Sequence, residues 1–303
     1  MKKEDLEALK EIWRLCFSDD DSFIEFYFQS RDWIHETAVL TVDGRIVSML
    51  TMIPVRMVDE DGAACSASML YAIATHPDFR RRGFADRLIG FSIQHLSSGG
   101  TEYTLLVPAS KELFRYYEKL GYRNAFYVRE AVLYHDDIAR PAGRMGPERW
   151  LRSDRPFCRP VPAEPQRYNS IRRELLKGRA YLDYRDEEVL FQKGVASMFH
   201  ADLYALEING SEGCAYAERI SEDEVMIKEL LIQEQYLVSA VLALSGLLPA
   251  EKYIIRTPVY SGMVLGGEIR PFGMLRANGS GSGSAGRKLC PLNTESYLGI
   301  AYD

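Results

Sequence analysis

Residues 69–85 read MLYAIATHPDFRRRGFA. Met69–Thr75 is apolar and β-prone, Pro77 breaks it, and Gly83 opens a helix whose apolar positions, Ala85, Leu88, Ile89, Ile93 and Leu96, share one face. The first N–H groups of a helix have no intrahelical partner and carry a partial positive charge, so a strand–turn–helix of this kind binds anions. Gly83 lets the backbone meet a phosphate with no Cβ between them, and Ala85 is small enough for the same approach. Arg80, Arg81 and Arg82 add charge. The construction suits a pyrophosphate. It is neither a P-loop, which needs G-K-[ST], nor a dinucleotide-binding G-x-G-x-x-G turn. Without the glycine and the helix behind it, the arginine run would read as a solvated basic turn.

Upstream, Leu6, Leu9, Ile12, Trp13 and Phe17 recur at helical spacing, and Asp19–Ser22 offers N-cap chemistry for a second helix carrying Phe23, Phe26 and Tyr27. Thr37–Val42 and Arg45–Val58 flank Asp43-Gly44, a two-residue hairpin signal. A polar turn at Asp59–Gly62 returns the chain as a strand over Ala63–Thr75. Downstream, Gly99-Gly100 stops the helix, Tyr103–Val107 is a short buried strand, Lys111–Leu120 a helix and Tyr122–Leu133 a strand.

This order makes Arg80-Arg81-Arg82-Gly83-Phe84-Ala85 specific. R-x-x-G-x-[GA] after a strand resembles motif A of the GNAT superfamily of N-acetyltransferases. Leu105–Pro108 followed by Phe114–Tyr122 is similar to its motif B, with Y-x-x-x-G-[FY] at Tyr117–Tyr122. The resemblance covers roughly residues 1–135. It implies an α/β (α+β) fold, a mixed and mostly antiparallel sheet flanked by helices, and acetyl-CoA as cosubstrate with no metal. The strands on either side of the motif splay in such folds, so the pantetheine arm is expected along Ile73 and Thr75. The pyrophosphate is expected on the N–H groups of Arg81–Ala85, next to Arg80. A primary amine attacks the thioester directly. Tyr117 stands where many members keep a tyrosine that protonates the leaving sulfur, and Ser110 is a candidate for orienting groups nearby. An alkylamine of pKa about 10.4 is almost wholly protonated at neutral pH, so a proton acceptor is needed. By residue type Glu25, His76 and the acidic turn Asp19–Asp21 are candidates. Tandem-GNAT bacterial proteins of the enhanced intracellular survival type open similarly and use a C-terminal carboxylate near the site, which draws attention to Asp303.

From His135 to Gln166, six prolines lie among arginines, which reads as a connection. Beyond it come a helix at Ser170–Leu176, a hairpin around Asn209-Gly210, a strand at Glu224–Ile232, a helix at Tyr236–Leu248 and a strand at Lys252–Val259. The order echoes the first half. Leu230–Tyr236 has no glycine to admit a phosphate. The expected organisation is therefore two tandem domains: a catalytic GNAT domain at 1–135, a connection at 136–165 and a degenerate GNAT-like domain at 166–303. Asn278–Gly286 reads as a flexible loop, and Tyr297–Tyr302 as β-prone.

Across 303 residues, 47% hydrophobic and 26% charged with net charge −6, the composition is globular and weakly disfavours a nucleic-acid partner. Five scattered cysteines, an N-terminus without an apolar core and no apolar run long enough for a bilayer are read as cytoplasmic, with no membrane partner. The acceptor is expected to be a small-molecule amine, cationic by the protein's charge, or else a protein amine. The oligomeric state is open. Two other readings remain: a non-catalytic acyl-CoA-binding sensor, and an aminoacyl-tRNA-dependent transferase with paired GNAT-like domains.

Overall fold

The computed structural model describes residues 2–139, 155–279 and 295–302. In chain order the first half runs α1 (Leu6–Cys16), α2 (Asp21–Ser30), α3 (Trp33–Glu36), β1 (Thr37–Val42), β2 (Arg45–Val58), β3 (Ala64–Thr75), α4 (Phe84–Ser98), β4 (Tyr103–Leu106), α5 (Lys111–Lys119) and β5 (Arg123–Tyr134). After α6 (His135–Ala139) come β6 (Arg159–Pro162), α7 (Pro165–Leu176), β7 (Tyr181–Asp183), α8 (Asp186–Met198), β8 (Leu203–Ile208), β9 (Ser211–Ser221), β10 (Glu224–Leu231), α9 (Leu237–Leu247), β11 (Lys252–Thr257) and β12 (Glu268–Ala277).

The hairpins form where the turn chemistry puts them. Asp43 and Gly44 sit at φ 50 and 79, the left-handed pair that a tight two-residue turn requires, and Asn209-Gly210 repeats this at 48 and 74. Asp20 is the N-cap of α2, though its side chain makes no capping bond. Three elements, β7, α8 and β12, lie where the sequence carries no clear periodicity. β6, within the proline-rich stretch, pairs with β8. Tyr297–Tyr302, expected as a strand, makes one bridge from Tyr297 to Tyr181 and is otherwise a buried coil. Most of the flexible loop expected at Asn278–Gly286 falls outside the described residues.

The twelve strands form one sheet in the order β1-β2-β3-β4-β12-β5-β11-β10-β9-β8-β6, with β7 on the far end of β2. Only β3–β4 and β10–β11 are parallel among these pairings. Each half gives its last strand to the other. β12 enters the first half beside β4, with Met274 opposite Leu106, and β5 enters the second beside β11, with Tyr134 opposite Lys252. The exchanged strands then pair with each other at the centre of the sheet.

Three apolar clusters sandwich this sheet. Leu88, Ile89 and Ile93 of α4 pack with Tyr117, Tyr122 and Met274 on one face of the first half. α9 does the same for the second half through Leu237, Val241 and Leu244. The largest cluster joins the halves: α1 and α2 meet α7 and α8. Phe26 stacks on Phe191 at 5.4 Å, and a Cβ on Gly194 would sit 2.3 Å from the Phe26 ring, so only glycine allows α8 so close to α2.

Candidate active site

β3 and β4 pair only through Ala67–Tyr103, Ser68–Thr104 and Met69–Leu105, then part. The register of β3 against β2 slips between Met49 and Thr51, opposite Ala72, which takes φ 49. This bulge bends β3 away and leaves Leu70–Thr75 with an open edge. Ile73 and Thr75 both lie there. The opening of the V widens into a cavity of about 570 Å³, walled by β3, the end of β4 and Tyr117 on one side and by α8, β9–β12 and Ala301–Tyr302 on the other.

At the mouth, Gly83 caps α4 at φ 72, and Arg81 before it is also left-handed, at φ 61. A Cβ on Gly83 would meet nothing within 4 Å, so its front faces open space. Among the described residues, no carbonyl outside α4 accepts from the backbone N–H groups of Arg81 to Asp86. They are the donors an anion needs, and the loop fits the pyrophosphate of acetyl-CoA on that ground. The arginines divide. Arg81 is exposed. Arg80 turns back, its Nε donating to the Thr75 carbonyl at 3.1 Å and its Nη2 lying 3.3 Å from Cys16 Sγ. Arg82 donates to the Asp78 carbonyl at 3.0 Å and lies over the Phe79 ring. Two of the three guanidiniums thus brace the loop in this state. Phe84 and Ala85 form the first turn, half-buried.

Tyr117 is 7% exposed and lines the cavity, between the rings of Tyr116 and Tyr122. Its hydroxyl makes no hydrogen bond with the described residues. Burial lifts it well above the ordinary tyrosine value, and Tyr122 adds to the rise, so it carries its proton throughout the neutral range. Tyr116 donates to Asp86, tying α5 to the first turn of α4. Ser110 serves the helix instead of the cleft. It is the exposed N-cap of α5, its hydroxyl accepting from Leu113 N–H at 3.4 Å, and it does not line the cavity.

Of the proton-acceptor candidates, Glu25 is paired with Lys10 at 2.6 Å, Asp21 with Arg14 at 2.6 Å, and Arg45 donates to His76 Nε2 at 2.9 Å. None of the three lines the cavity, whereas Asp19 does, held by the Trp13 indole N–H at 2.8 Å. Asp303 lies outside the described residues. Its neighbour Tyr302 lines the cavity and is fixed there, stacked on Phe191 and accepting from Arg31 at 3.0 Å. The far wall was not legible in the sequence. Glu218 there accepts from Tyr216 and, at 3.3 Å, from Lys228. Arg256 and Arg270 share the Glu130 carboxylate, at 2.9 and 2.5 Å. Burial pushes that carboxyl up, but the two arginines outweigh burial and hold it low.

The second half repeats the V without the cradle. β10 and β11 pair from Glu224–Lys252 to Ile227–Ile255 and then part. The cavity there is about 220 Å³. Glu234 closes its mouth, accepting from Gly262 N–H at 2.8 Å and Ser261 Oγ at 2.9 Å. The protein's own carboxylate stands where an anion would have to enter. Among the described residues, no group of three metal-ligating side chains occurs, and no helix is long and apolar enough to cross a membrane.

The acetyltransferase (GNAT) domain family matches residues 1–125. The resemblance read from Arg80–Ala85 and Tyr117–Tyr122 is borne out at that level. Among solved structures, the chain is similar to a probable N-acyltransferase from Enterococcus faecalis, at TM-score 0.69 and 14% identity over 91% of this chain and 71% of that one. A GCN5-related N-acetyltransferase from Anabaena variabilis gives 0.68 and 20%, over 92% and 71%. Eis1 from Mycobacterium abscessus gives 0.64 and 12%, over 92% and 72%. At these identities the likeness is one of fold, and it extends through both halves. None of the curated proteins matches the chain in sequence.

Proposed function

We propose, taking residues 1–125 as the acetyltransferase (GNAT) domain they match, that this protein moves an acetyl group from acetyl-CoA to a primary amine in the cavity between its halves. The fold supports N-acyltransferase activity in general. The observation that carries the finer reading is the open edge of β3 after Met69, with the Gly83-capped helix at one end and the Tyr117 hydroxyl along the same cleft.

When bound, acetyl-CoA supplies the thioester, whose C–S bond gives way to a C–N bond to the amine. The amides of Arg81–Ala85 hold the pyrophosphate, and Ile73 and Thr75 offer backbone groups to the pantetheine arm. Arg80 leaves the Thr75 carbonyl to join them, and Arg82 and Phe84 border the same mouth. Tyr117 donates its proton toward the leaving sulfur, and as a phenol it carries that proton at every physiological pH. Asp19, on the cavity wall, is better sited than Glu25 or His76 to take the amine's proton, directly or through water. Residues 1–135 are read as the catalytic half. Residues 166–303, beyond the connection at 136–165, wall the acceptor site. The reading includes no metal, nucleic-acid or membrane partner and a cytoplasmic setting.

The test is calorimetry with acetyl-CoA, followed by release of free thiol in the presence of primary amines. Binding with amine-dependent thiol release supports the transferase. Binding without turnover of any amine, unchanged in Tyr117→Phe, turns the reading into an acyl-CoA sensor. No binding by folded protein removes it.

A further inference from the structure

We infer that the acceptor is an arylalkyl amine, a single primary amine on a short chain ending in an aromatic ring. This rests on the transferase reading and names its substrate class. The cavity wall beyond Tyr117 is a connected run of rings drawn from both halves. Trp13 contacts Phe23 and Tyr71 at 6.2 and 5.9 Å, Tyr71 contacts Tyr302 at 5.3 Å, and Tyr302 stacks on Phe191 at 5.4 Å. Four of the rings that line the space are not fully buried: Phe17, Phe23 and Tyr71 are half-buried and Phe199 is 37% exposed. Aromatic surface left open inside a concavity is surface that a ligand ring can cover, with edge and face geometry already set by its neighbours.

The charges on the wall disfavour a cationic acceptor with several ammonium groups. Among the described lining residues there are two carboxylates, Asp19 and Glu218, against Lys228, Arg256 and Arg270. Glu218 already accepts from Tyr216 and Lys228. A polyamine or aminoglycoside needs several carboxylates spaced along its length, and here Glu218 is engaged by Lys228 and Glu130 by Arg256 and Arg270, which leaves Asp19 to meet a single ammonium. One ammonium near Asp19, with its ring against Phe23 and Phe199, matches what is there. The cavity, about 570 Å³, has room for such a molecule beside the end of a pantetheine arm.

The experiment uses the full chain with acetyl-CoA and four acceptors: phenethylamine, butylamine, spermidine and kanamycin. The expected kcat/KM for phenethylamine exceeds that for each of the others by about tenfold or more, the scale of burying one ring. Phe23→Ala and Phe199→Ala raise its KM by about tenfold with the acetyl-CoA Kd unchanged. Phe91→Ala, an exposed ring outside the cavity, alters neither. Faster turnover of spermidine or kanamycin, or a KM for phenethylamine unmoved in both cavity variants, overturns the assignment. Calorimetric titration of phenethylamine alone separates the two readings. If acetyl-CoA fails to bind but phenethylamine binds and Phe23→Ala abolishes it, the ring site stands and the transferase reading falls. If neither binds, both fall.

Discussion

Gly83→Glu tests the cofactor site most directly. Gly83 holds φ 72, and a Cβ there meets nothing within 4 Å, so the substitution adds no clash. What it costs in stability is the left-handed backbone, about 1–2 kcal/mol, which Gly83→Ala shares equally and so controls for. The glutamate then adds a negative charge where the amides of Arg81–Ala85 face open space. Against the two charges of a pyrophosphate about 5 Å away, at an effective dielectric of about 40–80, repulsion is roughly 1.7–3.3 kcal/mol. That weakens binding by roughly 15- to 200-fold. Calorimetry on the wild type, Gly83→Ala and Gly83→Glu, each with its circular dichroism recorded, reads this directly. The expected pattern is a loss within a few-fold for the alanine and the larger loss for the glutamate. A folded Gly83→Glu that binds acetyl-CoA as tightly as the alanine variant would refute the argument, because the pyrophosphate could not then lie on the α4 N-terminus.

Tyr117→Phe is expected to lower kcat by about 10²-fold with the acetyl-CoA Kd unchanged, read by thiol release and calorimetry. Stability should fall as pH rises past 10. Burial pushes Tyr122 up to about 12, with the Thr104 hydrogen bond pulling partly back, so the folded state keeps a proton that the unfolded chain loses. The contribution of that tyrosine, about 3 kcal/mol, is fully present below pH 10 and gone by about pH 12, which urea midpoints across that range would show. Arg172→Ala leaves Glu229 buried without its partner, both side chains being fully buried, and frees the Leu182 and Leu298 carbonyls. The expected loss is about 3–5 kcal/mol by denaturant titration. Gly267→Ala, at φ 83 with its Cβ 2.4 Å from the Glu130 carbonyl oxygen, should destabilise by about 2 kcal/mol or more and loosen the entry of β12 into the first half.

The Gly83 turn and the hairpins were legible because local chemistry decides them. Asp43-Gly44 and Asn209-Gly210 specify a left-handed turn wherever they occur, and a strand, a proline and a glycine before an amphipathic run specify a helix N-terminus facing solvent. Tyr117 came instead from the resemblance of Tyr117–Tyr122 to the family's motif. α8 escaped because it is buried on more than one side. Glu188 and Gln192 are buried beside Val189 and Phe191, so the apolar stripe that marks a surface helix is blurred. β12 escaped because Pro271 and Gly273 interrupt it, and its register slips on both sides of Gly273.

From the sequence alone came the order of the main elements in the first half, the glycine-capped turn before α4 and the motif around Tyr117. Each depends on residues a few positions apart, where covalent geometry and side-chain type leave little choice. The tertiary structure alone decided that β5 and β12 change places, that Glu234 closes the second V, and that Phe23, Tyr302 and Phe191 meet around one cavity. These contacts join residues some 30 to 280 positions apart, and they form only where the burial of shared apolar surface outweighs the loop-closure entropy of bringing them together. No local pattern records which distant partner provides that surface.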